Sequence, residues 1–185
     1  MMDQFLEQVA TKRNTGMQTV MLGFAWVTMI LSGLYGLLNL SGVTAAFAQG
    51  GTTAGIIQLV AAAVFIGMAV LIFFYKDRLR TEYEYTFTNG SLDFAAVYNN
   101  RKRKALGTMT LKNIKACGKV ASGSFNRYIN MPGVKRSNWF VNREADLFYI
   151  YFEKDSNKRI VIMEPSEEMA ALIRGAVPRE AYQVN

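Results

Sequence analysis

Between Arg13 and Lys76 the chain carries no Asp, Glu, Lys or Arg, although charges are dense after that gap. A water-soluble domain spreads charge along its length because its surface needs it throughout. A gap this long means that this part of the chain has a non-aqueous solvent. Inside it, Met17 to Leu40 and Ala54 to Tyr75 each exceed the roughly 20 apolar residues required to cross a ~30 Å hydrocarbon layer. The segment between them, 41–53, is uncharged and rich in Gly, Ala, Ser and Thr. The expectation is a two-helix transmembrane hairpin over 17–80, with spans at about 17–40 and 54–75.

The flanks give an orientation. Lys12 and Arg13 precede the first span, Lys76, Arg78 and Arg80 follow the second, and the connecting loop has no positive charge. The positive-inside rule then places both termini in the cytoplasm and makes this a multi-pass protein of the plasma membrane. Ala46-Phe47-Ala48 has the small-residue spacing of a signal-peptidase site. However, the apolar stretch before it is about twice a typical 7–15-residue h-region, and a second span would survive cleavage. Ser32 with Gly36, and Ala63 with Gly67, sit four apart, a spacing that lets helix backbones approach closely in lipid. That packing serves the hairpin itself or a homo-oligomer. Ahead of the spans, residues 1–16 form a short amphipathic segment. Met2, Phe5, Leu6 and Val9 share one helical face, and Asp3, Glu7 and Gln8 lie off it, which predicts a short surface helix.

From Thr81 the period changes to two. Tyr83, Tyr85 and Phe87 alternate with polar residues, and Asn89-Gly90 follows, the pair that best suits a type I′ hairpin turn. Ser91 to Tyr98 is the returning strand, and Asn99 to Lys104 reads as a polar, basic turn. Further strands are expected at 105–111, 114–120, 139–141, 147–152 and 159–163, with a turn at 154–157. A Gly/Ser/Asn-rich loop covers 121–138 and turns at Pro132-Gly133. Pro165, Ser166, Glu167 and Glu168 mark a helix start, Met169, Leu172, Ile173 and Val177 form its apolar face, and Pro178 stops it. The fold class is thus α+β: a transmembrane helical hairpin, then six to seven mainly antiparallel strands over 81–185, closed by a C-terminal α-helix.

This strand-and-helix plan over residues 81–178 resembles a pleckstrin-homology-like (PH-like) domain, in which a bent sheet forms a partly open barrel plugged at one end by a helix. More narrowly, an N-terminal MDQFLEQ, two spans, the hairpin YEYTFTNGSLDF, the basic RKRK and the helix start EPSEEM together resemble an uncharacterised family of small two-span membrane proteins of Gram-positive anaerobic bacteria. The resemblance implies a cytoplasmic PH-like domain on a membrane anchor and implies no activity.

Chemistry has few places to reside. The chain has no histidine, which removes most metal sites, general bases and catalytic triads. Cys117 is the only cysteine, so there is no internal disulfide and no obvious base to activate it. Gly118, Gly123 and Gly133 lack P-loop spacing. Glu82 and Glu84 share a strand face that reads as solvated, and Glu167 and Glu168 fit helix-start acids. No catalytic, cofactor or metal residue is expected, and the chain does not read as an enzyme.

Net charge is +7. Its densest run is Arg101, Lys102, Arg103 and Lys104. A first strand of eight residues at about 3.3 Å each runs roughly 26 Å outward, and the return strand brings this run back toward Lys76, Arg78 and Arg80. Those positive charges then face an anionic inner leaflet. Nucleic acid is not expected as a partner, because the aromatics fall on alternating core positions rather than on an exposed stacking platform. The leading expectation is a membrane-anchored scaffold or binding module contacting a protein partner or anionic headgroups. The alternative is an oligomeric channel or holin-type membrane protein, for which Asn39 and Gln58 are among the few polar groups inside the spans.

Overall fold

The computed structural model describes residues 4–154 and 157–183. Met2 and Asp3 of the N-terminal segment, and Asp155 and Ser156 of the expected 154–157 turn, lie outside the described residues. The chain forms two compact units, one from residues up to Arg13 together with those from Thr81 onward, the other from Asn14–Arg80. The elements are β1 (Phe5–Ala10), α1 (Gly16–Tyr75), β2 (Thr81–Thr88), β3 (Ser91–Tyr98), β4 (Lys102–Thr110), β5 (Ala116–Lys119), α2 (Gly123–Ile129), β6 (Lys135–Trp139), β7 (Phe148–Lys154), β8 (Asn157–Met163), α3 (Glu167–Ala176) and β9 (Tyr182–Gln183).

The apolar unit differs from the expected pair of helices joined by a loop. Helix runs through 41–53, and within Gly16–Tyr75 the helix is interrupted by a kink at Gly51, the one residue outside helical dihedrals, at φ 72 and ψ −174. That conformation is open to glycine and strained for any side chain. The physical reason is local: Ser41 turns its hydroxyl back onto Leu38 O at 2.8 Å and so stays within the helical ladder. Residues on either side of Gly51 touch. Ser32 Oγ lies 3.5 Å from Met68 Sδ, and the rings of Tyr35 and Phe65 are 4.6 Å apart. A straight helix would hold residues that distant roughly 50 Å apart, so α1 doubles back at Gly51. A Cβ on Gly36 would sit 2.9 Å from the Ile66 backbone nitrogen, so that contact requires glycine. Ser32, Gly36, Gly55 and Ala62 are buried there, whereas Ala63 and Gly67 are exposed. The run Gly16–Leu79, whose most apolar 18-residue window has a mean hydropathy of 2.7, is the one helix among the described residues long and apolar enough to cross a membrane.

The β unit corrects the expected single antiparallel sheet: among the described residues nine strands form two sheets. The first has the order β1-β2-β3-β4, the second β6-β8-β7-β5-β9, with β6–β8 and β5–β9 parallel. The Asn89-Gly90 turn forms with both residues at positive φ, and Thr81↔Tyr98 through Thr88↔Ser91 is its unbroken register. The expected N-terminal helix is instead β1, antiparallel to β2 from Phe5↔Thr88 to Ala10↔Tyr83. Pairing with the free edge of β2 bonds the backbone of alternate β1 residues and fixes the strand, whereas an isolated two-turn helix is too short to be stable. Leu6 and Ala10 turn inward while Phe5 stays 64 % exposed.

The two sheets share one core. Tyr85, Phe87, Leu92 and Phe94 from the first meet Cys117, Phe148, Ile150, Val161 and Met163 from the second, and Met169, Ile173 and Val177 of α3 close it. Ser166 caps α3 by accepting from the Met169 amide at 3.1 Å, and Glu167 and Glu168 occupy the first turn. The stretch 121–138 is not a loop throughout. It contains α2 and β6, and Phe125, Tyr128 and Ile129 cover Tyr149, Tyr151, Ile160 and Ile162 on the far side of β7 and β8. These strands are therefore buried on both faces, which explains their uninterrupted apolar sequence.

A polar knot fastens β1 to elements made much later in the chain. Glu164 Oε2 accepts from the amide of Asn142 at 3.0 Å, and its Oε1 accepts from Asn142 Nδ2 at 2.8 Å. Asn142 Nδ2 also donates to Thr11 O, and its Oδ1 accepts from the Arg13 amide. Gln8 Nε2 donates to Glu164 O at 2.9 Å, and Gln8 Oε1 accepts from the Ser166 amide at 2.7 Å. Buried Tyr85 donates to Trp139 O and accepts from the Glu164 amide.

Two outcomes follow from this arrangement. A chain with residues 14–80 replaced by a short Gly/Ser linker is expected to fold as a soluble β unit. A chain beginning at Thr81 loses β1 and should be less stable by roughly 3 kcal/mol or more, from lost apolar burial and hydrogen bonds. Urea unfolding of the two chains measures the difference. In the joined chain Asn142→Ala should cost about 2 kcal/mol by removing its side-chain bonds to Glu164 Oε1, Thr11 O and the Arg13 amide, read from the same curves.

Candidate functional site

The expected basic turn over 99–104 is confined to its first three residues. Asn99, Asn100 and Arg101 connect β3 to β4, with the two Asn at φ 50 and 53 and the Arg101 amide closing on Tyr98 O at 3.0 Å. Asn tolerates this left-handed geometry. Lys102, Arg103 and Lys104 are the first residues of β4. Strand alternation therefore divides them between two faces. Arg103, opposite Val97, bonds Glu84 across the sheet, while Lys102 and Lys104, opposite Tyr98 and Ala96, point to the other side. Arg101, Lys102, Arg103 and Lys104 are all exposed. Arg103 remains 62 % exposed, so its pair with Glu84 is worth well under about 1 kcal/mol.

Lys76, Arg78 and Arg80 belong to the apolar unit. Lys76 is buried, donates to Phe73 O at 3.2 Å, lies 3.8 Å from Asp77, and sits 4.9 and 4.5 Å from the ring centres of Trp26 and Phe73. It is occupied inside its own unit, not presented at a surface as the sequence suggested. Arg78 lies over the Tyr75 ring at 4.6 Å, and Arg80 donates to Thr19 Oγ1 at 2.8 Å. The few polar side chains of α1 are also engaged locally: Asn39 donates to Tyr35 O, and the Gln58 amide packs against Gly42.

Two concavities lie on the β unit. One of about 490 Å³ is on the outer face of the first sheet, between Thr86, Asp93, Ala95, Arg103, Ala105 and Thr108. It lies where the β3–β4 register shifts between Phe94 and Ala95, with Gly107 at φ 155 absorbing the irregularity. Asp93 there accepts from the Thr108 hydroxyl. The other, of about 240 Å³, opens between the C-terminal ends of β4 and β7. No sequence signal pointed to either, because both depend on how the strands are placed.

Among the described residues no cluster of His, Cys, Asp and Glu could hold a metal ion. Cys117 is fully buried, and burial pushes its thiol up to about 12. Such a thiol stays protonated at neutral pH and is a poor nucleophile.

A family described as "Bacterial PH-like domain (DUF6106)" matches residues 2–183 of the chain. No curated protein and no solved structure matches.

Burial also raises the hydroxyls of Tyr83, Tyr85 and Tyr149 above their ordinary range. A group whose folded-state value is raised keeps its proton in the native state after the unfolded chain has lost it. Stability from these groups is therefore intact below the unfolded values, about 8.5 for Cys and 10 for Tyr, and falls as pH rises beyond them. The urea midpoint should be flat with respect to these groups up to about pH 8 and decline above about pH 9. In the same range Cys117 should react with a thiol reagent only as fast as the protein unfolds.

Proposed function

The chain belongs to the bacterial PH-like domain family, and we propose that it is a membrane-anchored, non-enzymatic binding module whose β unit reads the anionic surface of the membrane that holds it. In this reading α1 spans the plasma membrane as two antiparallel limbs, with both termini and the β unit in the cytoplasm. Support for the anchor comes from the length and apolarity of α1, which is covered over only 6 % of its most apolar window. Basic residues lie at both ends of the apolar run and none lie within it.

The observation that carries the surface assignment lies within the β unit. Ala10 pairs with Tyr83, Thr81 with Tyr98, and Tyr98 with Lys102. The chain therefore leaves and rejoins the first sheet at one end, and Arg101 and Lys102 stand at that same end. Thr81 and Lys102 lie two strand spacings apart, roughly 10 Å. Arg101, Lys102 and Lys104 are the proposed headgroup contacts, with Arg78 and Arg80 on the anchor. Each exposed cation near an anionic leaflet contributes about 1 kcal/mol.

The test uses the full chain in nanodiscs made of zwitterionic lipid alone or containing anionic lipid. Lys102 and Lys104 are labelled with an amine reagent and compared with Lys135, on the edge of the second sheet. Their labelling should fall several-fold relative to Lys135 in the anionic discs and recover in high salt. Equal labelling in both discs would sink the proposal.

A further inference from the structure

Two unpaired strand edges face each other across the smaller cavity. β4 ends the first sheet, with β3 on one side and no strand on the other among the described residues. β7 is paired by β5 only along Phe148–Tyr151, and the Lys115 amide closes that ladder on Tyr151 O at 3.0 Å. Beyond it, Phe152, Glu153 and Lys154 pair with β8 alone. The cavity of about 240 Å³ lies between Thr108–Thr110 and Phe152–Lys154. Met109, Ile114 and Phe152 give it an apolar floor, and Met109 and Ile114 are themselves buried. On its rim Lys154 is exposed, exposed Lys112 directly precedes the lining residue Asn113, and the lining carboxylate of Glu153 already accepts from the Tyr151 hydroxyl at 2.8 Å.

We infer that the slot beside β4 takes an extended, acidic peptide segment of a partner protein, which adds as a strand to the β4 edge and seats one apolar side chain on Met109, Ile114 and Phe152. Strand addition supplies main-chain hydrogen bonds at an edge, and a pocket beside it selects a side chain. The lysines give the charge complement. The competing explanation is that lysines on an edge strand only repel stray strands. The two differ in outcome: a guard rejects an acidic strand as it rejects any other, and a docking edge accepts it. The inference does not depend on lipid binding, which the Arg101–Lys104 end of the sheet serves.

The test uses the full chain in zwitterionic nanodiscs, so that failure of the anionic-surface proposal leaves it untouched and its own failure leaves that proposal standing. The probe is a fluorescein-labelled nine-residue peptide alternating glutamate with valine around a central leucine. Its controls are the same peptide with alternate amides N-methylated, in both registers, and the same peptide with lysine in place of glutamate. The parent peptide should bind by fluorescence anisotropy and slow hydrogen exchange of amides in 102–110. At least one N-methylated form and the lysine form should bind at least tenfold more weakly. Lys112→Glu with Lys154→Glu, both surface positions, should weaken the parent at least fivefold. No binding by the parent peptide overturns the inference, as does equal binding of all the peptides. So does exchange protection that falls on Phe5–Ala10 instead. Protection of 102–110 that grows with protein concentration in the absence of peptide also overturns it, by showing that a second copy fills the edge.

Discussion

The carboxylate of Glu164 and the amide of Asn142 hold together segments that are far apart in sequence. Through them Thr11 and Arg13, at the end of β1, are tied to the turn after β6 and to the end of β8. Gln8 adds a second fastening to the start of α3. Without these bonds β1 would be a six-residue edge strand held by β2 alone. With them it is part of the core, and Leu6 and Ala10 cover the end where Tyr83 and Tyr85 would otherwise be open. The β unit is therefore built from both sides of the apolar run.

The sheets depend on that closure in different ways. The first sheet buries one face and exposes the other, so its strands alternate; Lys102 and Lys104, at the start of β4, are exposed on the same face as Ala96 and Tyr98. The second is buried on both faces, between the shared core and α2. Its exposed positions lie at its margins, and the β4–β7 slot falls where the two sheets part. The family assignment is that of a bacterial PH-like domain, and the surface of the β unit carries charge and open strand edges.

Elements governed by local chemistry were legible in the sequence. Asn89-Gly90 and the alternation of Tyr83, Tyr85 and Phe87 predict β2 and β3 with their register, and Ser166 with Glu167 and Glu168 predicts the start of α3. Elements decided by distant partners were misread. Phe5, Leu6 and Val9 suit a helix face equally well, and only the free edge of β2 makes them a strand. The basic turn read over Asn99–Lys104 is real only over 99–101, because the positive φ of Asn99 and Asn100 reverses the chain at once and frees Lys102–Lys104 to begin β4. The unbroken apolar run Leu147–Phe152 did hint at a second covering layer, and Phe125, Tyr128 and Ile129 were the residues to supply it. The slot carried no sequence signal, because it is defined by where β5 stops along β7.

β1 and β2 are antiparallel neighbours, yet the connection between them is the whole of Asn14–Arg80. In topological terms this is a β-hairpin whose turn is the apolar helical unit. A ribosome makes β1 first, then the apolar unit, then everything that β1 rests against, with Glu164 and Ser166 near the end. The strand made before the apolar unit is thus fastened after it, and it has to remain unpaired while that unit is made. Closing so long a loop costs little more than closing one half its length, because the penalty grows only with the logarithm of loop size. The burden of this design falls on the order of assembly rather than on final stability, and a chain stalled before Glu164 would carry an untethered N-terminus.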